Sequence, residues 1–379
     1  MKKYNIPEVS ISITLALSAA LIFYFSTNPP QVHGDYTFRI AGALLRGELG
    51  LRLNEFPSFL SEMIPYEGKY YSAFPLGSVI SMLPIALLFH EPPPVHVIIA
   101  LIAGACVYFF FQFTTAFNVS YPKRILLALF PVFGTLMWAN LGVGGAWFIA
   151  LGLAVLGEIA ALYFTLVRPS PLIAGAFFAL AFGNRTELII TAPFYLYFFS
   201  RTARLNIVTL SKFVVLPIVL ALLTAAYNFA RFHSVFDFGY LRIPGMAPLF
   251  THGFLSLHSI PLNAQVMLLD GFGIRSYPFF FPPLGCSMLS TSPFLFLLFR
   301  GGGKHAVICW LAIGLLTFVL WCHGGAPGGY QFSYRYAMIL LPWMFILIAS
   351  NGPTTLTPIE ISLFLVSVAI NTAATRAFS

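Results

Sequence analysis

The chain has 379 residues, 59% of them hydrophobic and only 8% charged, with a formal net charge of +8. Soluble domains carry about 25% charged residues, so this inventory excludes a water-solvated globule and reads as an all-α polytopic membrane protein. Nearly all the Lys and Arg stand in short connections between apolar runs, where they set topology, so the positive charge is no sign of a nucleic-acid partner.

Lys2 and Lys3 precede an apolar stretch from about Ile11 to Phe25. No small-residue cleavage site follows, because the chain continues Ser26-Thr27-Asn28-Pro29-Pro30, and the stretch reads as a retained first helix. Residues 28–72 then hold Asp35, Glu48, Glu55, Glu62 and Glu67, five of the twelve acids. From Asp35 to Arg46 the periodicity is helical: Arg39 and Arg46 share one face, and Ile40, Ala43, Leu44 and Gly47 form an apolar one. This predicts a short helix lying in the membrane interface rather than a span. Asp35 heads it, where the helix dipole favours a carboxylate. It serves there as an N-cap with an i,i+4 ion pair to Arg39, or as a carboxylate that takes a proton from an incoming hydroxyl, or as both. Downstream, Pro65 to Gly77 reads as a turn with an aromatic belt, or as a place where Lys69 meets a lipid phosphate.

Further apolar runs fall near 73–89, 95–117, 125–140, 146–167, 171–182, 186–199, 213–230, 287–299, 305–322, 335–350 and 359–374. With the first they predict about 10–12 transmembrane or re-entrant helices in one domain over 1–379, with no soluble C-terminal domain; a straight span needs ~20 residues, so the shorter runs must be tilted, paired or broken. No internal repeat is evident. Lys2 and Lys3, Lys123 and Arg124, Arg168, the Arg201–Lys212 segment, and Arg300 with Lys304 read as cytoplasmic. Residues 28–72, about 231–286 and 323–334 then lie outside, together with the turn Gly183-Asn184-Arg185 at the top of a hairpin formed by 171–182 and 186–199. Parity conflicts in one place. Residues 72 to 123 need an odd number of crossings but contain two apolar runs, so either 73–89, with Pro75 and Pro84, is re-entrant or interfacial, or Lys123 and Arg124 break the rule.

Arg185 and Glu187 stand in the broken hairpin, either as a local pair or facing a cavity. Arg231, His233, Asp237 and Arg242 cluster at the start of the second loop, whose stretch 270–285 reads as a folded lid rather than a linker. His252 and His258 have poor metal-ligand spacing and read as surface residues. Arg335 follows a glycine-rich stretch, 324–329, and either snorkels or holds a phosphate with its fork of donors. Glu158, mid-span, is not explained by the sequence; pairing with another helix is one reading. Cys106, Cys286, Cys309 and Cys322 are scattered, which argues against a disulfide framework.

Gly34-Asp35 heading an amphipathic helix, followed by "YEGKYYSAFPLG", resembles the GT-C superfamily of membrane glycosyltransferases, in the bacterial branch related to protein mannosyltransferases and aminoarabinose transferases. "FGNRTELIITAPFYLYF" (182–198), "YNFARFHSVFDFGY" (227–240) and "GGYQFSYRYAMILLPWMFIL" (328–347) are similar to later segments of that family, in the same order. The resemblance implies a polyprenyl-phosphate-linked sugar donor, a glycan, lipid or protein acceptor, and a place in a bacterial inner membrane with the site facing away from the cytoplasm. It makes Asp35 the base that activates the acceptor hydroxyl, with Lys69, Arg185, Arg231 and Arg335 as the pool of phosphate-binding cations and inversion at the anomeric carbon. His33, Tyr36, Arg39 and Asp237 are further candidates. Where many relatives have a second acid beside the first, this chain has Tyr36, which argues against a divalent metal held by paired carboxylates; no other cofactor follows. A lipid-linked-saccharide flippase or transporter, and a non-catalytic scaffold, are the competing classes. A transport path calls for ionisable residues along the mid-membrane route, whereas here they cluster on one face, with Glu158 the main exception.

Overall fold

The computed structural model describes residues 6–27, 35–55, 62–89, 91, 94–202, 206–270, 285–325 and 331–378. It is an all-α polytopic membrane protein. Five of its described helices are long and apolar enough to cross a bilayer, and a sixth span arises if one bent pair is counted. The long helices are α1 (Ile6–Ser26), α4 (Val95–Phe113), α7 (Gly145–Leu166), α10 (Ile207–Phe232) and α15 (Pro358–Phe378). The bent pair is α5 (Tyr121–Phe133) and α6 (Met137–Val143), which meet at 45°. Shorter pieces are α2 (Tyr36–Leu45), α3 (Leu76–Leu88), α8 (Pro171–Asn184), α9 (Ala192–Thr202), α11 (Ile260–Leu268), α12 (Met288–Thr291), α13 (Ala306–Trp321) and α14 (Leu341–Ser350). Between α6 and α7 the backbone turns through Gly144 and Gly145, both at positive φ, a conformation that a side chain would strain.

Contacts between helix ends define two ends of the bundle. At one, Arg124 on α5 meets Glu8 on α1, and Lys123 meets Glu360 on α15. The Thr202 hydroxyl that closes α9 donates to the carbonyl of Thr165 on α7 at 2.8 Å. This is the basic end. At the other, Trp138 of α6 donates to Ser26 of α1 at 3.0 Å, and Trp147 of α7 reaches the first loop. This is the loop end.

That frame resolves the crossing conflict. Gly77, at the start of α3, packs directly on Gly183 at the far end of α8, and Asn184 donates to Ser81 at 3.0 Å. His96, at the start of α4, rests edge-on against Tyr24 near the end of α1, with ring centroids 4.6 Å apart. α4 therefore begins near the loop end, while α3 begins deeper, beside the recessed end of α8. The 13-residue α3 contains Pro84 and makes no net crossing; α4 alone does, and Lys123 and Arg124 sit with the other basic connections.

The first loop is more than a helix. α2 buries Tyr36, Thr37, Phe38, Ile40, Ala41 and Ala43 and packs on α3, so its apolar face is spent on protein. After it come β1 (Leu51–Arg52), β2 (Met63–Tyr66) and β3 (Lys69–Ser72), an antiparallel sheet in the order β1-β3-β2. The β2–β3 hairpin turns at Glu67 and Gly68, with φ of 45° and 74°, the sign that a two-residue hairpin turn demands at both positions. The expected turn thus extends into strands, consistent with the aromatic residues flanking it.

The expected hairpin of 171–182 and 186–199 forms, but its turn does not reach the top of the bundle. Gly183 packs on Leu220 of α10, and α10 then continues to Phe232, about 18 Å further at 1.5 Å per residue. The Arg185 turn lies in a recess. All four cysteines are free and buried. His33, most of the expected lid (271–284) and the glycines of 326–330 fall outside the described residues.

Candidate functional site

The recess is built on the first turn of α7, where Trp147 and Phe148 are consecutive. Trp147 donates its indole N–H to Oε2 of Glu62 in the first loop at 2.5 Å. Its ring meets Tyr36 at 5.2 Å in a T-shaped contact, and Tyr36 stacks on Phe74 at 6.2 Å. Phe148 lies 5.3 Å from the guanidinium of Arg335. The first loop, the start of α7 and the segment that follows α13 therefore converge on one helix turn.

Arg335 opens a 3₁₀ segment (Arg335–Leu340) that leads into α14. Its approach is fixed by buried hydrogen bonds. Asn140 of α6 donates to the carbonyl of Phe332 at 2.7 Å and accepts from the Phe332 amide at 3.1 Å. The Arg335 amide donates to Gln331 Oε1 at 3.0 Å. The guanidinium donates to the Tyr336 hydroxyl at 3.3 Å and lies 5.1 Å from its ring. Its Nε has no hydrogen-bond partner, and among the described residues no carboxylate comes within 4.0 Å of it. A half-buried cation surrounded by rings attracts an anion, because the interior screens its charge less than water does.

Arg185 reaches the same tyrosine from the α8 turn, its guanidinium 4.9 Å from the Tyr336 ring. Unlike Arg335 it has a counter-ion, Glu187 at 3.0 Å, the local pair that the sequence allowed. Two arginines from distant parts of the chain thus flank one aromatic ring.

The second loop roofs this recess. The Ser256 amide donates to the Cys322 carbonyl at 2.7 Å, and the Gly324 amide to Phe254 at 2.8 Å. These bonds bring Phe250 and Phe254 edge-on to His323, at 5.6 and 5.4 Å, and His323 to Tyr336 at 5.8 Å. Tyr240 packs on Phe250 at 5.6 Å. Burial pulls the His323 imidazole down to about 4, and the nearby Arg185 and Arg335 add to the effect, so the ring is neutral at neutral pH. Burial also raises the Glu62 carboxyl, opposed by the Trp147 hydrogen bond and the field of Arg335. Tyr240 is raised by burial, and the charges of Tyr336, Glu62, Arg335 and Arg185 all act on it. These groups share one electrostatic environment.

The other sequence candidates are distributed around this recess. Asp35 precedes α2 without a side-chain capping bond and pairs with Arg39 at 2.9 Å; Tyr36, next to it, is the link to Trp147. Lys69, half-buried on β3, contributes its charge near Glu48. Arg231 is 1% exposed. It donates to the Ser72 carbonyl at 2.8 Å and to Asn228 at 2.7 Å, with its guanidinium 3.9 Å from the Tyr227 ring. It ties β3 to α10 and shares no described partner with Arg185 or Arg335. Asp237 accepts from the Gly239 amide and from Arg242, both at 2.7 Å, and shapes the turn after α10. Glu158 accepts from Trp343 at 2.8 Å, the interhelical partner its mid-span position required. His252 and His258 stand with rings 4.5 Å apart on the exposed second loop.

Glu62, Trp147, Tyr240, His323 and Tyr336 were not singled out in the sequence. Only Tyr336 carried a signal, as the neighbour of Arg335.

No protein-family model and no curated protein matches the chain. Among solved structures, the crystal structure of the Archaeoglobus fulgidus oligosaccharyltransferase in the apo form is similar, with TM-score 0.49 and 13% identity, over 99% of this chain and 56% of that one. The chain spans little more than half of that protein's length, and a likeness of this degree carries no weight for activity.

Proposed function

We propose that the chain is a GT-C-type glycosyltransferase that moves a sugar from a polyprenyl-phosphate donor to an acceptor hydroxyl on a glycan, lipid or protein, at the loop end of the bundle. The observation that carries this reading is that Arg185 and Arg335 both contact the Tyr336 ring. One arginine is balanced by Glu187, while the other has no described carboxylate within salt-bridge distance. Both guanidiniums lie close to one ring, at 4.9 and 5.1 Å, a concentration of positive charge of the kind a departing phosphate requires. The sequence resemblance supplies the substrate class. A first-loop carboxylate takes the acceptor proton; Asp35 is the one the resemblance nominates. In-line attack at the anomeric carbon inverts it, and the lipid phosphate leaves toward the arginines. Lys69 and Arg231 complete the proposed cation pool, Arg231 through its hold on β3. The site faces away from the cytoplasm of a bacterial inner membrane, with the basic end inside.

One observation weighs against the transport reading: Glu158, an ionisable group in mid-bundle, is fully buried and accepts from Trp343 rather than facing an open route in this conformation. The deciding experiment incubates purified protein in lipid nanodiscs with radiolabelled polyprenyl-phosphate hexoses and pentoses and membrane acceptors, and scores release of the lipid phosphate. Sugar transfer by wild-type protein that is lost in Arg335→Ala supports the reading. No release from any donor sinks it.

A further inference from the structure

A second first-loop carboxylate, Glu62, is built into the recess. Glu62 Oε2 accepts from Trp147 Nε1 at 2.5 Å, and the next residue, Phe148, carries Arg335 at 5.3 Å. Consecutive residues of α7 therefore hold a carboxyl group and an arginine that has no described carboxylate within 4.0 Å, with Tyr36 meeting the Trp147 ring at 5.2 Å. Asp35 Oδ1 is engaged by Arg39 at 2.9 Å, an i,i+4 contact on the helix it begins, which is the ordinary way such pairs steady a helix start.

On this geometry, and resting on the glycosyl-transfer reading above, we propose that Glu62 receives the proton of the acceptor hydroxyl while the Asp35–Arg39 pair fastens the start of α2. In that step the acceptor O–H bond breaks and its proton passes to Glu62. The oxygen bonds to the anomeric carbon, and the bond from that carbon to the phosphate oxygen breaks, its electron pair leaving with the polyprenyl phosphate. The groups that bear on Glu62 are Trp147 from α7, Arg335 from the segment before α14, and Tyr240 from the second loop. Burial holds the carboxyl above the ordinary glutamate range, and a base with higher proton affinity transfers protons more effectively near neutral pH. The partial neutralisation of Arg335 by an ionised Glu62 is lifted once the proton arrives, just as negative charge develops on the phosphate.

The test uses the full chain in nanodiscs with the same labelled polyprenyl-phosphate sugars, measuring donor binding, turnover and the pH profile for Glu62→Gln, Glu62→Asp, Asp35→Asn and Asp35→Glu. Glu62→Gln is expected to lower turnover by roughly 10²–10⁴-fold with donor binding retained. Glu62→Asp should recover part of it and move the acid limb of the profile, and Asp35→Asn should cost about tenfold or less. If both neutral variants are silent, the acid limb decides, because it moves in Glu62→Asp and stays in Asp35→Glu when the proposal holds. Active wild type with near-normal Glu62→Gln overturns the proposal alone. A wild type silent with every donor overturns it together with the glycosyl-transfer reading.

Discussion

At the basic end, Glu360 Oε1 accepts from Lys123 at 2.7 Å and Arg300 at 2.6 Å, and its Oε2 from the Thr357 amide at 3.0 Å. Lys123 and Glu360 are almost wholly buried, and Arg124 closes on Glu8 at 2.8 Å. In the recess near the loop end, Arg335 is set against Phe148 and Tyr336 instead. The difference teaches where this chain spends its few charges. Where helix ends must be clamped, cation and anion are matched and dehydrated together. At Arg335 the cation is positioned by rings and backbone, with no carboxylate of the described residues within 4.0 Å; under the proposed function a ligand phosphate supplies the close counter-charge to this preorganised group.

The comparison breaks most readily at its strongest contact. Glu360→Gln leaves the buried Lys123 charge with neutral acceptors in place of its carboxylate partner, and removing one charge of a buried pair costs about 3–5 kcal/mol. We expect a large fall in the thermal unfolding midpoint, with the activity per folded molecule kept; an unchanged midpoint would show that the clamp is ornamental. Arg335→Ala reverses the pattern. It should lower turnover by roughly 10²–10³-fold and barely move the midpoint, because no ion pair to a described residue is broken; a midpoint loss as large as that of Glu360→Gln would make Arg335 a structural residue.

Arg185→Ala should fall between the two, since it strands Glu187: a loss of about tenfold in donor affinity, measured by titration with polyprenyl phosphate, accompanied by a modest loss of stability. A pH effect comes next. His323 titrates at about 4 when folded against an ordinary 6.5, so the unfolded chain binds its proton more tightly. Its contribution to stability is complete above pH 6.5 and is lost as the pH falls toward 4. Replacing His323 with Gln should flatten the stability profile across that window, and an unchanged profile would assign the acid sensitivity elsewhere. The smallest effect is expected at Asp237→Ala, where an exposed pair with Arg242 and one turn hydrogen bond are lost, about 1 kcal/mol by denaturant melt.

Hydropathy and periodicity made the helical architecture legible because they are local: each apolar run already encodes a segment that must hide its backbone from lipid. The same locality placed α2 and its Asp35–Arg39 pair, the hairpin around Arg185 and the helix start at Arg335. Glu62 could not be found that way. It is one of five acids in its loop, in no distinguishing pattern, and its partner Trp147 lies 85 residues away. Nor could run lengths alone decide that α3 fails to cross or that the Arg185 turn is recessed. Those outcomes depend on His96 at the start of α4 meeting Tyr24 and on Gly183 meeting Leu220 below the top of α10. Which stretches enter the membrane was thus determined by the amino-acid sequence itself, through transfer energies that each segment carries alone. Which charges are paired at close range and which are set against rings was decided only by tertiary packing, because a charge's partner is whatever the fold brings within a few ångströms of it.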